Sequence, residues 1–328
     1  MSPYTYRYER HHATGWNVLH LFYEGAEPHE RTHVALVPEM GANLLAFDVG
    51  ERAFIVEGDR TNGRFALLGT PILYPTPNRV RGARFTFDGR EFTFPPNNGK
   101  NFIHGLVRER PWECDTPHIG DESIRVTARY RFSPGDEAFA LFPIRNTLEV
   151  TFTVRPRTVR FDFTIYNEDT SQRLPFGLAL HPYFAILGDR SQVRIQVPAQ
   201  RWMEAEDLLP TGRLLPLEEG PADLRKPTSL EALNLDDVFW GLTSQAPQII
   251  SYEAIGVRLV LSASEHFTHS VIYTPKGRPF FCIENQTCST DAHNLYARGL
   301  EREAHLMILN PGEAMAAWVQ YTLTNLLA

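Results

Sequence analysis

The feature that most constrains this chain is a ten-residue segment in which phenylalanines alternate with polar residues around a turn. Phe85 and Phe87 precede Asp88-Gly89, and the phenylalanines at 92 and 94 follow it. An Asp-Gly dipeptide can adopt the two positive φ angles of a type I′ turn. This pattern predicts a β-hairpin, because a helix would repeat its apolar residues every three to four positions instead.

The same alternation recurs in segments separated by glycines and prolines, which is typical of an all-β protein. We expect further strands at 124–132, 146–154, 159–167, 193–197, 257–262 and 314–323. Helical periodicity is confined to 229–233 and 291–296, the second with Asp291 placed to cap it. At roughly 150 residues per domain, 328 residues would give two domains. No linker or repeat marks a boundary, so we expect residues 1–328 to form a single large β-sandwich domain.

Charge and cysteine content exclude several classes of function. Lys plus Arg number 32 and Asp plus Glu 39, a net charge of −7 with no basic cluster, which argues against nucleic-acid binding. Cys114, Cys282 and Cys288 are too few for a disulfide scaffold and lack zinc-site spacing, so a reducing compartment is expected. The polar start at 1–12 argues against a secretion signal, and the lack of an apolar run of about 18 residues argues against a membrane-spanning helix. We therefore expect a cytoplasmic protein.

His29-Glu30-Arg31-Thr32-His33 matches the HExxH pattern of zinc proteases, which places two histidines one helical turn apart. Here Pro28 precedes the motif, and the residues from His33 onward form a strand-like sequence. Residues four apart in a strand lie roughly 13 Å apart, too far to share a metal ion. We therefore interpret the motif as a coincidence and expect no metal. No GxSxG, P-loop or GxGxxG pattern supports an esterase, an NTPase or a nucleotide-dependent dehydrogenase.

Three ionisable residues occur in unexpectedly apolar surroundings. Glu284 shares one face of the strand-like segment Phe280–Gln286 with Phe280 and Cys282, where burial would raise its pKa toward that of a general base. His181 ends an apolar run before Pro182, and His104 follows two apolar residues before a glycine. A structural salt bridge and two core histidines remain the alternatives. Two histidines and a glutamate could also perform acid–base chemistry without a metal or nucleotide.

Five segments together resemble the aldose 1-epimerase (galactose mutarotase) family, in the family's order and over roughly residues 30 to 325. They are Pro77-Asn78-Arg79-Val80, Phe102-Ile103-His104-Gly105 with Arg110-Pro111-Trp112 after it, Gly177-Leu178-Ala179-Leu180-His181-Pro182-Tyr183-Phe184, Leu235-Asp236-Asp237-Val238-Phe239 and Glu284-Asn285-Gln286-Thr287-Cys288-Ser289. The resemblance implies a single antiparallel β-supersandwich. It also implies an enzyme that needs no cofactor and interconverts the α and β anomers of free aldohexoses.

The resemblance also implies roles for individual residues. Glu284 would take the proton from the anomeric hydroxyl, His181 would protonate the ring oxygen, and His104 would stabilise charge or orient the sugar. A Glu284 whose pKa is raised toward neutrality and a His181 kept partly cationic by a nearby carboxylate would be in complementary states for this chemistry near pH 7. Three residues would hold the sugar hydroxyls: Asn78, Arg79 and Asp236, the last chosen over Asp237 by its distance from the following aromatic residue.

Two alternatives remain open from the sequence. A hexose-6-phosphate 1-epimerase would share the fold and the His/Glu pair and could bind phosphate through Arg79, Arg81 and Arg84. A non-catalytic sugar-binding or sensor protein could keep the same sandwich, although it would not need both His181 and Glu284. The residues that follow the histidine and the glutamate leave the preferred sugar open, and a monomer and a homodimer are equally compatible with the sequence.

Overall fold

The fold is described for residues 2–61 and 64–326 of a computed structural model, and its regular secondary structure is mainly antiparallel β-strand with few helices. In chain order the strands are β1 Tyr4–Arg10, β2 Asn17–Tyr23, β3 Thr32–Val37, β4 Asn43–Val49, β5 Arg52–Ala53, β6 Gly58–Thr61, β7 Arg64–Leu67, β8 Ile72–Leu73, β9 Arg79–Val80, β10 Arg84–Phe87, β11 Arg90–Thr93, β12 Phe102–Ile103, β13 Glu113–Cys114, β14 His118–Ile119, β15 Ile124–Phe132, β16 Asn146–Arg155, β17 Thr158–Asn167, β18 Leu174–Phe176, β19 Ala179–Leu180, β20 Phe184–Ala185, β21 Val193–Gln196, β22 Arg201–Glu206, β23 Leu209–Leu215, β24 Thr228–Ser229, β25 Asp236–Trp240, β26 Gln248–Tyr252, β27 Val257–Ala263, β28 His269–Tyr273, β29 Phe280–Gln286, β30 Met307–Leu309 and β31 Ala314–Asn325. The prediction of an all-β fold is confirmed.

Helical segments are short and lie between the strands. The α-helices are α1 Glu137–Leu141, α2 Ala292–Ala297 and α3 Glu301–Ala304, and single 3₁₀ turns occur at Pro28–Glu30, Pro38–Met40, Arg81–Ala83, Arg190–Gln192, Leu217–Glu219, Leu230–Ala232 and Glu253–Ile255. In the part of the chain that the structure describes, no helix has both the length and the apolar character needed to cross a membrane.

Three large sheets make up most of the fold. A five-stranded meander contains β1 to β5 in sequence order. A ten-stranded sheet runs β13-β15-β16-β17-β31-β27-β26-β21-β24, with β14 also paired to β15. An eight-stranded sheet runs β23-β22-β25-β28-β29-β19-β8, with β20 also paired to β29. One continuous apolar cluster contains buried residues from all three sheets.

The predicted strands form because their alternating side chains can bury one face. In β17, Val159, Phe161, Phe163 and Ile165 are buried at every second position. The predicted hairpin is also confirmed, because β10 pairs with β11 and the turn residues Asp88 and Gly89 have φ angles of 50° and 74°. The ends of the other predicted strands agree with the structure to within two residues. The phenylalanines of the hairpin stack across the strand pair and join the core.

The helical prediction at 291–296 is confirmed, but the expected cap at Asp291 is wrong. Asp291 occupies the N-cap position of α2 with a φ of 57°, and its carboxylate makes no capping hydrogen bond. The carboxylate instead accepts hydrogen bonds from the backbone N–H of Arg81 (2.9 Å) and the side chain of Asn294 (2.7 Å). The residue therefore ties α2 to the segment after β9.

The HExxH segment does not form one helix. Its first two residues lie in the 3₁₀ turn Pro28–Glu30, whereas His33 lies in β3, as the strand-like pattern predicted. His33 bonds Asp48 and His20, and His29 is exposed on the other element. Among the described residues, no group of three or more His, Cys, Asp or Glu side chains is arranged to hold a metal ion.

Candidate active site

The two faces of the eight-stranded sheet have different roles. On one face, Phe239, Ile272 and Ile283 enter the main core. On the other face, a row of directly paired residues crosses four strands, from Met203 on β22 through Val238 and Val271 to Glu284 on β29. The period of two along β29 therefore places Glu284 away from the main core, on the face that carries the polar groups described below.

Strand register brings His181 beside Glu284. Ala179 pairs with Gln286, and Phe184 pairs with Phe281 in the same antiparallel register. Continuing that register across the gap between β19 and β20 places His181 opposite Glu284. The Nε2 atom of His181 lies 3.2 Å from Oε1 of Glu284, and both side chains are buried.

Gln286 holds the second carboxylate oxygen. Two residues after Glu284 on the same strand, its side chain shares the same face, and its amide Nε2 donates to Oε2 of Glu284 at 2.9 Å. The carboxyl group is thus contacted on both oxygens. Its orientation is fixed by two different side chains.

His104 is placed by a short two-stranded ribbon. Arg79 and Val80 pair with Ile103 and Phe102, and the N–H of His104 donates to the carbonyl of Asn78 at 2.9 Å. Asn78 and His104 have φ angles of 55° and 71°, so the two chains turn sharply at the end of the ribbon.

Steric crowding explains why the residue after His104 is a glycine. Gly105 has a φ of 68°, and a Cβ atom there would lie 2.4 Å from the carbonyl oxygen of Tyr74. The backbone of Tyr74 therefore approaches this glycine closely. Any larger residue would displace the turn that carries His104.

Aromatic rings support the two histidines. The rings of His104 and His181 lie 5.0 Å apart in an edge-to-face arrangement. The ring of Tyr183 stacks on the ring of His181, with the two centroids 4.7 Å apart. Phe280 contacts the ring of Tyr183 edge-on at 5.0 Å. These contacts restrict the rotation of the His181 ring and keep Nε2 directed at Glu284.

The three residues predicted to hold hydroxyl groups form one polar network. Arg79 donates from Nη1 to Oδ1 of Asn78 at 3.2 Å and from Nε to Oδ1 of Asn98 at 3.2 Å. Its Nη2 lies 3.6 Å from Oδ2 of Asp236. The neighbouring Asp237 accepts a hydrogen bond from the indole of Trp202 at 3.0 Å.

The choice of Asp236 over Asp237 agrees with strand geometry. Asp236 pairs with Tyr273, which pairs with Cys282, so Asp236 shares the face of Glu284. Asp237 is one residue further along and lies on the opposite face. Of these two aspartates, only Asp236 is on the side of the sheet where Glu284 lies.

Burial acts in opposite directions on the pKa values of the acid–base pair. It raises the pKa of Glu284 well above its usual range, against the lowering effect of the Gln286 amide. It lowers the pKa of His181 to about 4. Burial also lowers the pKa of His104 well below its usual value, with further lowering by His181, Arg108 and Arg79.

The expectation of a cationic His181 is therefore opposed by the direction of the shift. Burial disfavours both charges, which favours the form of the pair with one exchangeable proton, held by Glu284 beside a neutral His181. A neutral pair of this kind can accept a proton on one atom and donate one from the other. That is the requirement for bifunctional acid–base chemistry.

A narrow cleft lies over the row of residues that leads to Glu284. Its polar lining includes Asn78, Arg79 and Asp236, the network described above. Its apolar lining consists of Met203, Ala205, Leu208, Pro210, Val238 and Val271. A small polar ligand could contact hydroxyl-binding groups on one side and apolar groups on the other.

Of the six residues predicted for the site, three line this cleft, namely Asn78, Arg79 and Asp236, whereas Glu284, His181 and His104 are grouped beside it and are not part of its lining. Two contacts were not anticipated from the sequence. The supporting roles of Gln286 and Tyr183 were missed. A signal existed for Gln286, since a residue two positions from a buried glutamate in a strand must share its face. The same signal was available for Tyr183, which lies two positions after His181.

Comparisons with known proteins agree with the geometry. The sequence matches the family described as Aldose 1-epimerase over residues 29–322. Galactose mutarotase of Sus scrofa is 31% identical over 159 residues, which cover 47% of this chain and 44% of that protein, so less than half of that relative's length is matched. The uncharacterized protein YphB of Escherichia coli (strain K12) is 28% identical over 297 residues, covering 82% of this chain and 92% of that protein.

Solved structures support the fold. A galactose mutarotase-like protein from Clostridium acetobutylicum superposes with a TM-score of 0.84 at 16% identity, covering 98% of both chains. A galactose 1-epimerase from Lactobacillus acidophilus superposes with a TM-score of 0.77 at 17% identity, covering 99% of both chains. At these identities the two likenesses show a shared fold.

Proposed function

This chain belongs to the aldose 1-epimerase family, and we propose that it interconverts the α and β anomers of a free aldohexose by opening and closing the pyranose ring. The observation that carries the proposal is the contact between His181 and Glu284, buried beside a cleft lined by Asn78, Arg79 and Asp236. Family membership supports an isomerase. The site geometry supports the acid–base route.

Ring opening removes a proton from O1 of the sugar and adds a proton to O5. Both oxygens are bonded to C1, so the groups that act on them need not lie on opposite sides of the ring. Nε2 of His181 and Oε1 of Glu284, 3.2 Å apart, have the spacing of two neighbouring groups rather than of two groups separated by a sugar. In the proposed reaction Glu284 accepts the O1 proton while His181 donates to O5, and ring closure on either face of the aldehyde reverses the transfers.

The one-proton state of the pair suits both directions of this reaction. Glu284 must be ionised to accept a proton, and His181 must then hold the proton that it donates. Substrate hydroxyls that enter the site can solvate this charged tautomer, which burial otherwise disfavours. In this mechanism, His104 contacts the same sugar and stabilises the charge that develops on its oxygens.

The polar network supports binding and orientation. Arg79 offers planar donors, while Asp236 and Asn78 offer acceptors, a combination that matches vicinal hydroxyl groups. Arg79 is already held by three partners, so little conformational freedom is lost when a sugar binds. We therefore assign these residues mainly to substrate affinity.

Polarimetry on freshly dissolved α-glucose and α-galactose tests the proposal. The purified chain should speed the approach to anomeric equilibrium in proportion to its concentration for at least one of these sugars. An unaltered rate with every free aldohexose, despite binding detected by ligand-observed NMR, would contradict the enzymatic assignment and favour a non-catalytic sugar-binding protein.

The alternative of a phosphorylated substrate receives less support. Arg79 pairs with Asp236, whereas Arg81 pairs with Asp291 at 3.3 Å and donates to the carbonyl of Pro210. Arg81 and Arg84 line a different cleft from the one lined by Arg79. The three arginines thus do not converge on one position where a phosphate could bind.

A further inference from the structure

The hairpin of β22 and β23 is closed by an unfavourable turn. Glu206 pairs with Leu209, so Asp207 and Leu208 form a two-residue loop, and their φ angles are 49° and 63°. Such loops favour Asn or Asp at the first position and glycine at the second. Leucine at the second position is strained, because its Cβ crowds the backbone in the left-handed region.

Burial of the Leu208 side chain does little to offset this strain. It is 43% exposed, one of the few large hydrophobic residues exposed among the described residues. It also lines the cleft that contains Asn78, Arg79 and Asp236. A strained and exposed apolar residue at the edge of a binding cleft is better explained by a ligand contact than by folding stability.

The hairpin is held in place over the cleft. Arg81 donates from Nη2 to the carbonyl oxygen of Pro210 at 3.2 Å, and Arg298 donates from Nη2 to the carbonyl oxygen of Thr211 at 3.0 Å. These two bonds hold the first residues of β23. Leu208 is consequently presented at a fixed position above the apolar row.

Leu208 completes an apolar wall opposite the polar network. Met203, Val238 and Val271 form a separate small apolar cluster on the cleft side of the eight-stranded sheet. Pyranose rings carry hydroxyl groups around their edge and C–H groups on their faces. A polar network on one side and an apolar wall on the other match those two parts of a sugar.

We propose that Leu208 covers the C–H-rich face of the bound pyranose and is a determinant of KM. This inference rests on the proposed function, since it names the part of the same substrate that the hairpin recognises. Leu208 acts on binding alone. The acid–base pair carries the chemical step.

Two substitutions separate the contact from the strain. Leu208→Ala removes most of the side chain and keeps a Cβ at the strained position, whereas Leu208→Gly removes both. Each should raise KM by about threefold to tenfold, as expected for loss of part of a leucine contact, and leave kcat within about twofold. Only Leu208→Gly should also raise Tm, by about 1–3 °C, because glycine adopts a positive φ without strain.

Ile119→Ala is the matched control, because Ile119 is similarly exposed at 40% and does not line the cleft. It should change neither KM nor kcat. An unchanged KM in both Leu208 variants, or a fall in kcat without a change in KM, would overturn the inference.

Titration of the sugar followed by NMR separates this inference from the proposed function. Absence of mutarotation by the wild-type chain would contradict the function. Equal sugar affinity of wild type and Leu208→Ala would contradict the role of Leu208, whether or not turnover occurs.

Discussion

Two histidine–carboxylate pairs in different regions of the molecule differ in what surrounds them. On the five-stranded sheet, Nδ1 of His33 lies 2.7 Å from Asp48 and its Nε2 lies 2.8 Å from Nδ1 of His20. On the eight-stranded sheet, His181 lies 3.2 Å from Glu284. The side chains of His33 and Asp48 are 19% and 26% exposed, whereas those of His181 and Glu284 are 8% and 3% exposed.

The comparison shows that a lowered histidine pKa does not by itself identify an active site. Burial, with a contribution from His33, lowers the pKa of His20 to about 4, as burial does for His181. What distinguishes the second region is a buried carboxyl group of raised pKa near the polar network of Asn78, Arg79 and Asp236. We therefore expect catalysis to depend on the second pair alone.

The largest difference should come from removing one carboxylate in each region. Glu284→Gln keeps the shape of the side chain but cannot accept a proton, so the mutarotation rate should fall at least about 10²-fold while sugar binding survives. Asp48→Asn, the matched control, should keep the full rate. It should cost less than about 1 kcal/mol of the free energy of unfolding, because this pair is partly exposed.

Polarimetry and sugar titration of both variants check this expectation. Near wild-type turnover in Glu284→Gln would remove Glu284 from the mechanism. An equal loss in Asp48→Asn would mean that the two regions are functionally connected.

The pH profile sharpens the comparison further. Wild type should give a bell with a wide plateau, since burial lowers the pKa of His181 to about 4 and raises that of Glu284. Acid adds a second proton to the pair and alkali removes the last one, so both limbs belong to the pair. His181→Asn should lower the plateau about 10²-fold or more and abolish the alkaline limb, leaving a rate that rises as Glu284 ionises.

His104→Asn is the control for this profile. It should lower the rate while keeping both limbs, because the acid–base pair is intact. If His104→Asn instead loses the alkaline limb when the rate is followed polarimetrically, the roles of the two histidines are reversed.

The smallest expected effect is that of a strong chelator. The first and last residues of the HExxH motif lie on different elements, and His33 is engaged by Asp48 and His20. Dialysis against the chelator should therefore leave both the unfolding temperature and the mutarotation rate unchanged. Stoichiometric zinc by elemental analysis, with activity lost on its removal, would contradict the interpretation of the motif as a coincidence.

Sequence patterns predicted the strands well because alternation is a local property of the chain. Phe85 to Phe94 and the run around Phe161 each contain the information for their own strands. The order of the strands in the sheets is not local, and nothing near Ala179 indicates that Gln286 is its partner. The prediction that His181 and Glu284 share one site therefore came from the resemblance to a family and not from periodicity.

The two errors in the sequence-based predictions have the same cause. Asp291 is a suitable capping residue by its position, but its carboxylate accepts hydrogen bonds from Arg81, which is distant in the sequence. A cationic His181 was expected from a nearby carboxylate, but burial of both groups lowers its pKa. In each case a tertiary interaction outweighs the local preference.

The shared register of β19 and β20 on β29 has a consequence for which length changes the protein can tolerate. Because both short strands keep one register, the number of residues between Ala179 and Phe184 must stay constant. One residue more or fewer would turn His181 to the opposite face of the sheet or shift it along β29, away from Glu284. A substitution in this segment leaves the register unchanged, whereas a single insertion or deletion would separate His181 from Glu284.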